Sequence, residues 1–146
     1  MLVRDYMTST VHTLTDEACL LDAALLIRRT GKRHVPILNS EGRPVGIISD
    51  RDVSRLAPSM LAHMTPDEYN QIFEATSITV AMTKNPLTIS PEAHIRDAVA
   101  VLYTKKIGAL LVIEQGKLAG ILTVNDMLGI LNELLAEEKK ADAGLP

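Results

Sequence analysis

The chain has no tryptophan and a single cysteine, Cys19, in 146 residues. One cysteine excludes an intramolecular disulfide and a cysteine-built zinc site. Placed beside Leu20 and Leu21, Cys19 is expected to lie buried and inert within a helix. Aromatic residues are only Tyr6, Tyr69, Phe73 and Tyr103. A protein that stacks nucleobases would carry more, and a net charge of -3 lacks the basic footprint of a nucleic-acid binder. No apolar run approaches the ~20 residues of a membrane helix, and Met1–Asp5 has no signal-peptide core, so no membrane association and a reduced, cytoplasmic location are expected. His12, His34, His63 and His94 show no metal-ligand spacing. No nucleophile stands next to a base, and no phosphate-binding loop or dinucleotide fingerprint appears, so catalysis has no candidate residue.

The composition, 47% hydrophobic and 23% charged, is that of a globular domain with one core or two small ones. Its organising feature is Gly46-Ile47-Ile48-Ser49-Asp50-Arg51-Asp52, which returns as Gly120-Ile121-Leu122-Thr123-Val124-Asn125-Asp126. Around these runs residues 3–40 align on 78–115, and 42–53 on 116–127. Met7/Met82, Thr8/Thr83, Asp22/Asp97, Ala23/Ala98, Gly42/Gly116, Gly46/Gly120 and Asp52/Asp126 are identical pairs. The chain is an internal repeat, and its fold follows from one unit built twice.

Each copy reads strand–helix–strand–strand–helix, an α+β pattern. In the second copy Ser90, Pro91 and Glu92 have the order of a helix start. Ile95, Ala98, Val99 and Leu102, matched by Leu20, Ala23, Ala24 and Ile27, give both helices one apolar face. His34–Leu38 and Ala109–Ile113 follow as short apolar strands, the first demoted to a sheet edge by Pro36. Turns at Ser40–Arg43 and Glu114–Lys117 lead into the glycine-opened strands.

These readings divide the chain into a first repeat at 1–56, an insert at 57–77, a second repeat at 78–136 and a frayed or disordered tail at 137–146. Thr65-Pro66-Asp67-Glu68 starts a helix in the insert, with Tyr69, Ile72 and Phe73 on one face. That face either covers the core or serves self-association or gating. Met127, Leu128, Leu131, Leu134 and Leu135 form a stripe on the last helix, suited to the core or to a second subunit.

The paired Met-Thr dipeptides, the Arg33-His34-Val35-Pro36-Ile37 strand, the turn glycines and the two Gly-x-x-Ser/Thr-x-x-Asp runs together resemble a CBS domain pair, or Bateman module. The likeness covers residues 1–136 and is similar to small acetoin-utilisation-type proteins. It implies tandem CBS domains packed about a pseudo-two-fold axis, with two clefts for adenosine compounds such as AMP, ADP or ATP. A homodimer, a regulatory role toward a protein partner and no catalytic cofactor are implied as well.

By this resemblance Asp126 and Asp52 meet ribose hydroxyls, while Thr123 and Ser49 reach phosphate, flanked by Ile121, Asn125, Ile47 and Arg51. The Asp126 cleft is expected to include Thr10, Val11, Arg33 and His34, and the Asp52 cleft Pro86, Leu87, Gly108 and Ala109. The two bases Arg33 and His34 are expected to make the Asp126 cleft the tighter one for a phosphorylated ligand. Each quartet also reads as a helix-capping box with aspartate in the acidic position. Two readings therefore stand: an adenosine-compound sensor, or an interaction scaffold whose hydroxyls and aspartates only cap helices.

Overall fold

The computed structural model describes residues 1–56 and 64–144. Its elements are α1 (Val3–Tyr6), β1 (Leu14–Thr15), α2 (Leu20–Thr30), β2 (His34–Leu38), β3 (Pro44–Ser49) and α3 (Asp50–Leu56). After residues 57–63, which lie outside the described residues, come α4 (Pro66–Ala75), a 3-10 turn (Ile78–Val80), β4 (Thr83–Lys84) and β5 (Thr88–Ile89). The chain closes with α5 (Ile95–Lys105), β6 (Ala109–Glu114), β7 (Lys117–Thr123) and α6 (Val124–Asp142). The expected element order of each repeat is present.

The chain forms two compact units. The first-repeat unit comprises Thr10–Leu87 and Glu114–Leu118; the second-repeat unit comprises Met1–Ser9, Thr88–Ile113 and the chain from Ala119 onward. Sequence repeat and packed unit are therefore out of phase. The first nine residues pack with the second repeat, and residues 78–87 with the first.

Matched contacts build this exchange. Leu2 bridges His94 and Ser77 bridges Cys19. Val3 N–H donates to the Ala93 carbonyl at 2.9 Å, and Ile78 N–H to the Ala18 carbonyl at 3.0 Å. Thr8 bridges Ile121, as Thr83 pairs with Ile47. Val3 and Ile78 are both wholly buried, each in the core of its unit. Full burial of one such side chain stabilises by about 1.5–3 kcal/mol, which adds to the backbone hydrogen bonds that tie each leading segment down.

The first sheet has the order β1-β2-β3-β4, with β1 and β2 parallel and the remaining pairs antiparallel. β2 is thus an inner strand, not an edge. Pro36 sits opposite Ile47 on β3, while β1 pairs only with Ile37 and Leu38. The short β1 leaves no neighbour beside Pro36 that needs its missing N–H, so proline is accepted inside the ladder. The second sheet has the order β5-β6-β7.

The β6–β7 turn is tight, with Gln115 and Gly116 both left-handed at φ 52° and 77°, as a two-residue hairpin requires. The extra residue in the first repeat makes a wider turn, in which the Asn39 side chain accepts from Glu41 and Arg43 N–H at 3.0 Å each.

Three local expectations need correction. The second-repeat helix begins at Ile95 rather than at Ser90, with His94 as its cap. Ser90 Oγ accepts from Glu92 N–H at 3.2 Å and closes a turn instead, while the Ala93 carbonyl is taken by Val3. Cys19 is not inside a helix; it is the half-buried cap of α2, and its Sγ donates to Asp22 Oδ2 at 3.2 Å. The last helix runs to Asp142, past the point where the tail was expected to fray, because alanines, leucines and charged residues at 132–142 are good helix formers.

In the insert, Thr65 caps α4 by accepting from Glu68 N–H at 3.2 Å. Phe73 is 1% exposed and joins Leu20, Ala23 and Leu26 in the first core, with the Tyr69 ring 4.2 Å from its own. The insert helix covers the core of its unit.

Candidate functional site

In each unit an apolar strand runs without a loop into a helix, β3 into α3 and β7 into α6. The first helical N–H groups have no intrahelical partner, so a hydroxyl and a carboxylate placed there serve as the cap. Ser49 N–H and Oγ donate to Asp52 Oδ2 at 2.8 and 2.9 Å, and Asp52 N–H donates back to Ser49 Oγ at 3.2 Å. Thr123 N–H and Oγ1 donate to Asp126 Oδ2 at 2.7 and 3.0 Å, and Asp126 N–H returns a bond at 3.3 Å. The two boxes are near copies, and both aspartates are half-buried.

Each box uses one carboxylate oxygen. Asp52 Oδ1 has only the exposed Arg55 guanidinium, at 3.9 Å, and Asp126 Oδ1 has no partner among the described residues. An ionised carboxylate accepts several donors. A complete cap therefore leaves one oxygen on each aspartate able to receive hydroxyl donors.

The strand before each box is tied to it in the same way. Asp50 N–H donates to the Arg33 carbonyl, and Val124 N–H to the Gly108 carbonyl, both at 3.0 Å. His34 is the cross-strand partner of Ser49. The first-repeat unit thus brings Arg33, His34, Ser49, Asp50 and Asp52 together. Burial lowers the His34 imidazole from its ordinary 6.5, the Asp50 and Asp52 carboxylates pull it upward, and Arg33 pushes it down. In the second-repeat unit the matched neighbours of Thr123 and Asp126 are Gly108, Ala109, Val124 and Asn125, none of them charged.

Thr10, Val11, Pro86 and Leu87 also belong to the first-repeat unit, where Asn85 N–H reaches the Val45 carbonyl at 3.4 Å just before Pro86. Ile121 is buried on β7, Ile47 is half-buried on β3, and Arg51 and Asn125 are exposed on the first turns of α3 and α6. Among the described residues no cluster of His, Cys, Asp or Glu has the makings of a metal site. Asp22 and Asp97, the other duplicated acids, are no acid/base pair: Asp22 completes the Cys19 cap and Asp97 lies 3.8 Å from Arg96 on the surface.

The strand glycines have a role that sequence reasoning missed. A Cβ on Gly120 would lie 2.8 Å from both Met7 Sδ and the Thr8 carbonyl oxygen. On Gly46 it would meet the Met82 sulfur. Each Met-Thr dipeptide therefore docks in the notch left by a glycine of the other repeat. A groove of about 650 Å3 was missed as well; it is lined by Val99, Leu102, Tyr103, Ile107, Val124 and Met127 between α5 and α6. The signal for it lay in repeat positions that are polar in one copy and apolar in the other.

A model of the CBS domain family matches residues 3–59 and 75–133. The protein MJ1404 of Methanocaldococcus jannaschii is 31% identical over 91% of the chain, which spans only 29% of that protein's length. A CBS domain-containing protein of Dictyostelium discoideum is 24% identical over 92% of the chain and 94% of its own length. Among solved structures, a putative acetoin utilization protein (AcuB) from Vibrio cholerae superposes with a TM-score of 0.75 at 29% identity, covering 96% of both chains. The CBS domain pair of MJ0100, in complex with 5'-methylthioadenosine and S-adenosyl-L-methionine, gives 0.76 at 21% identity, over 91% and 97% of the two chains. CBSX2 in complex with AMP gives 0.73 at 24% identity, over 91% and 97%. The chain belongs to the CBS domain family and is a CBS domain pair. No helix among its described residues is long and apolar enough to cross a membrane.

Proposed function

We propose that this CBS domain pair is a regulatory module that binds an adenosine compound and has no catalytic step of its own. The observation that carries the reading is the duplicated box, in which each aspartate caps its helix with one oxygen and keeps the other for hydroxyl donors. Adenosine compounds bound to the MJ0100 pair and to CBSX2 support the ligand class. In this reading Asp52 and Asp126 accept from ribose hydroxyls, while Ser49 and Thr123 sit at helix starts that suit an anion. Arg33 and His34 supply the nearby cationic and hydrogen-bonding groups, and Thr10, Val11, Pro86, Leu87, Gly108 and Ala109 supply backbone and apolar contacts for the base.

The module acts as a homodimer, and ligand changes either that dimer or a partner protein's activity. A ligand regulates only through its different affinity for two arrangements. A thermal-shift panel of AMP, ADP, ATP and S-adenosylmethionine tests the reading, since a ligand that binds only the folded chain stabilises it by about 2.7 kcal/mol at one hundred times its Kd. A rise in Tm with at least one of them is the expected result. No rise with any would favour the second reading, an interaction scaffold, whose own support is the run of exposed leucines on α6.

A further inference from the structure

We propose that the exposed end of α2 and the turn after it, from Leu25 to Arg33, is a docking surface for a short acidic segment of a partner protein. The inference rests on the partner-protein arm of the reading above, gives it a place, and needs no ligand in the boxes. Arg28, Arg29, Lys32 and Arg33 put four cations into six consecutive positions of a chain whose net charge is -3. All four are exposed, and none has an ion-pair partner among the described residues. The acids at the starts of α2 and α3 are otherwise engaged: Asp22 and Asp52 are held in caps, and Asp50 takes the Arg51 N–H.

The fold of the unit does not demand this charge. Cations near a helix C-terminus are favourable, but the effect ends with the last turn, and Lys32 and Arg33 lie beyond the Gly31 cap. Neighbouring like charges also repel. The second repeat builds the same helix and turn with Ala100, Tyr103, Thr104, Ile107 and Gly108 at the positions matched to Leu25, Arg28, Arg29, Lys32 and Arg33, and its cations there are Lys105 and Lys106. The concentrated charge therefore belongs to the surface of one unit, not to the architecture.

The chemistry of the surface favours an acidic polypeptide. Three of the four cations are arginines, whose planar forks take a carboxylate in two parallel hydrogen bonds and are weakly hydrated enough to be covered. Leu25 is 54% exposed, one turn before Arg28 and Arg29, so an apolar side chain of the partner finds an anchor beside its carboxylates. From Leu25 to Lys32 the surface runs about 10 Å at a rise of about 1.5 Å per residue, a length that about three extended residues cover. A nucleic-acid strand calls for a longer cationic track and for rings on which bases stack. Tyr69 and Phe73 pack into the core of this unit, and Tyr6 and Tyr103 belong to the other.

The test is fluorescence anisotropy of a short labelled peptide of glutamates around two leucines, titrated with the full chain at low salt and without nucleotide. Its glutamine counterpart and a single-stranded oligonucleotide of similar charge are the comparison probes. The variants are Arg28→Glu/Arg29→Glu, the neutral Arg28→Gln/Arg29→Gln and, as the control in the other unit, Lys105→Glu/Lys106→Glu, with circular dichroism confirming each fold. The expected result is that the glutamate peptide binds wild type and the lysine control alike, binds Arg28→Glu/Arg29→Glu at least tenfold more weakly, and loses affinity in the same direction with the neutral variant. The glutamine peptide is expected not to bind. No binding of the glutamate peptide to wild type, equal binding to wild type and both folded arginine variants, or an equal loss in the lysine control would overturn the proposal. Tighter binding of the oligonucleotide through the same arginines would overturn it too. Each of these failures leaves the adenosine reading standing, because no nucleotide takes part in the measurement.

Discussion

The two boxes share one geometry and differ in company. Ser49 with Asp52 and Thr123 with Asp126 reproduce the same three hydrogen bonds within a few tenths of an ångström. Around the first stand Arg33, His34, Asp50, Arg51 and Arg55; around the second stand Gly108, Ala109, Val124 and Asn125. Duplication kept what the backbone needs, a cap for a helix that leaves its strand without a loop. The surroundings were free to diverge, so what distinguishes the two boxes resides in residues that the cap does not constrain.

The reciprocal exchange of leading segments is the strongest point at which this comparison can be broken. Ile78→Ala empties a fully buried site in the first-repeat unit and is expected to cost about 2–5 kcal/mol in urea unfolding. Val3→Ala removes less volume from the second-repeat unit and should cost less. If either substitution is silent, the segment does not complete the core to which it is assigned. Next in size are the notches. Gly120→Ala sets a methyl against the Thr8 backbone as well as Met7, so about 1–3 kcal/mol of overpacking is expected. Gly46→Ala meets only the flexible Met82 side chain and should cost distinctly less; equal losses in thermal unfolding would remove the difference between the notches.

Loss of a cap comes third. Asp52→Ala and Asp126→Ala each remove the acceptor of two hydrogen bonds at a helix start, and about 1 kcal/mol is expected for each in denaturant unfolding without ligand. Markedly unequal costs would mean that the charged company of the first box already contributes to its folding. The smallest effect is a pH dependence confined to one unit. Burial lowers His34 from 6.5, so the folded chain binds its proton less readily than the unfolded chain. Stability is therefore flat above 6.5 and is lost as pH falls from 6.5 through the lowered native value. His34→Ala, which installs the residue found at the matched position 109, should flatten that slope in urea unfolding between pH 7 and 5. An unchanged slope would place the titration elsewhere.

Much of this was legible from the residues in order. The repeat, the α+β pattern, the Thr65–Pro66 helix start and the Ser49 and Thr123 caps are local signals, written in spacing and capping chemistry. What was not legible depends on partners distant in sequence. Pro36 reads as an edge residue until the brevity of β1 is known. Ser90-Pro91-Glu92 has the order of a helix start, yet Val3 from the other end of the chain takes the Ala93 carbonyl and the helix waits until Ile95. The candidate site was readable as a list of residues, since Arg33, Ser49 and Asp52 lie on one repeat's motif. That each aspartate divides its two oxygens between cap and solvent needed coordinates.

Calorimetric titration of AMP and S-adenosylmethionine into wild type, Asp52→Ala and Asp126→Ala tests the central claim most directly. The account predicts saturable binding to wild type by at least one of these ligands. It also predicts a loss of at least tenfold in affinity for at least one of the two aspartate variants. Wild-type affinity retained in both variants would contradict it, and the two boxes would then be helix caps and nothing more.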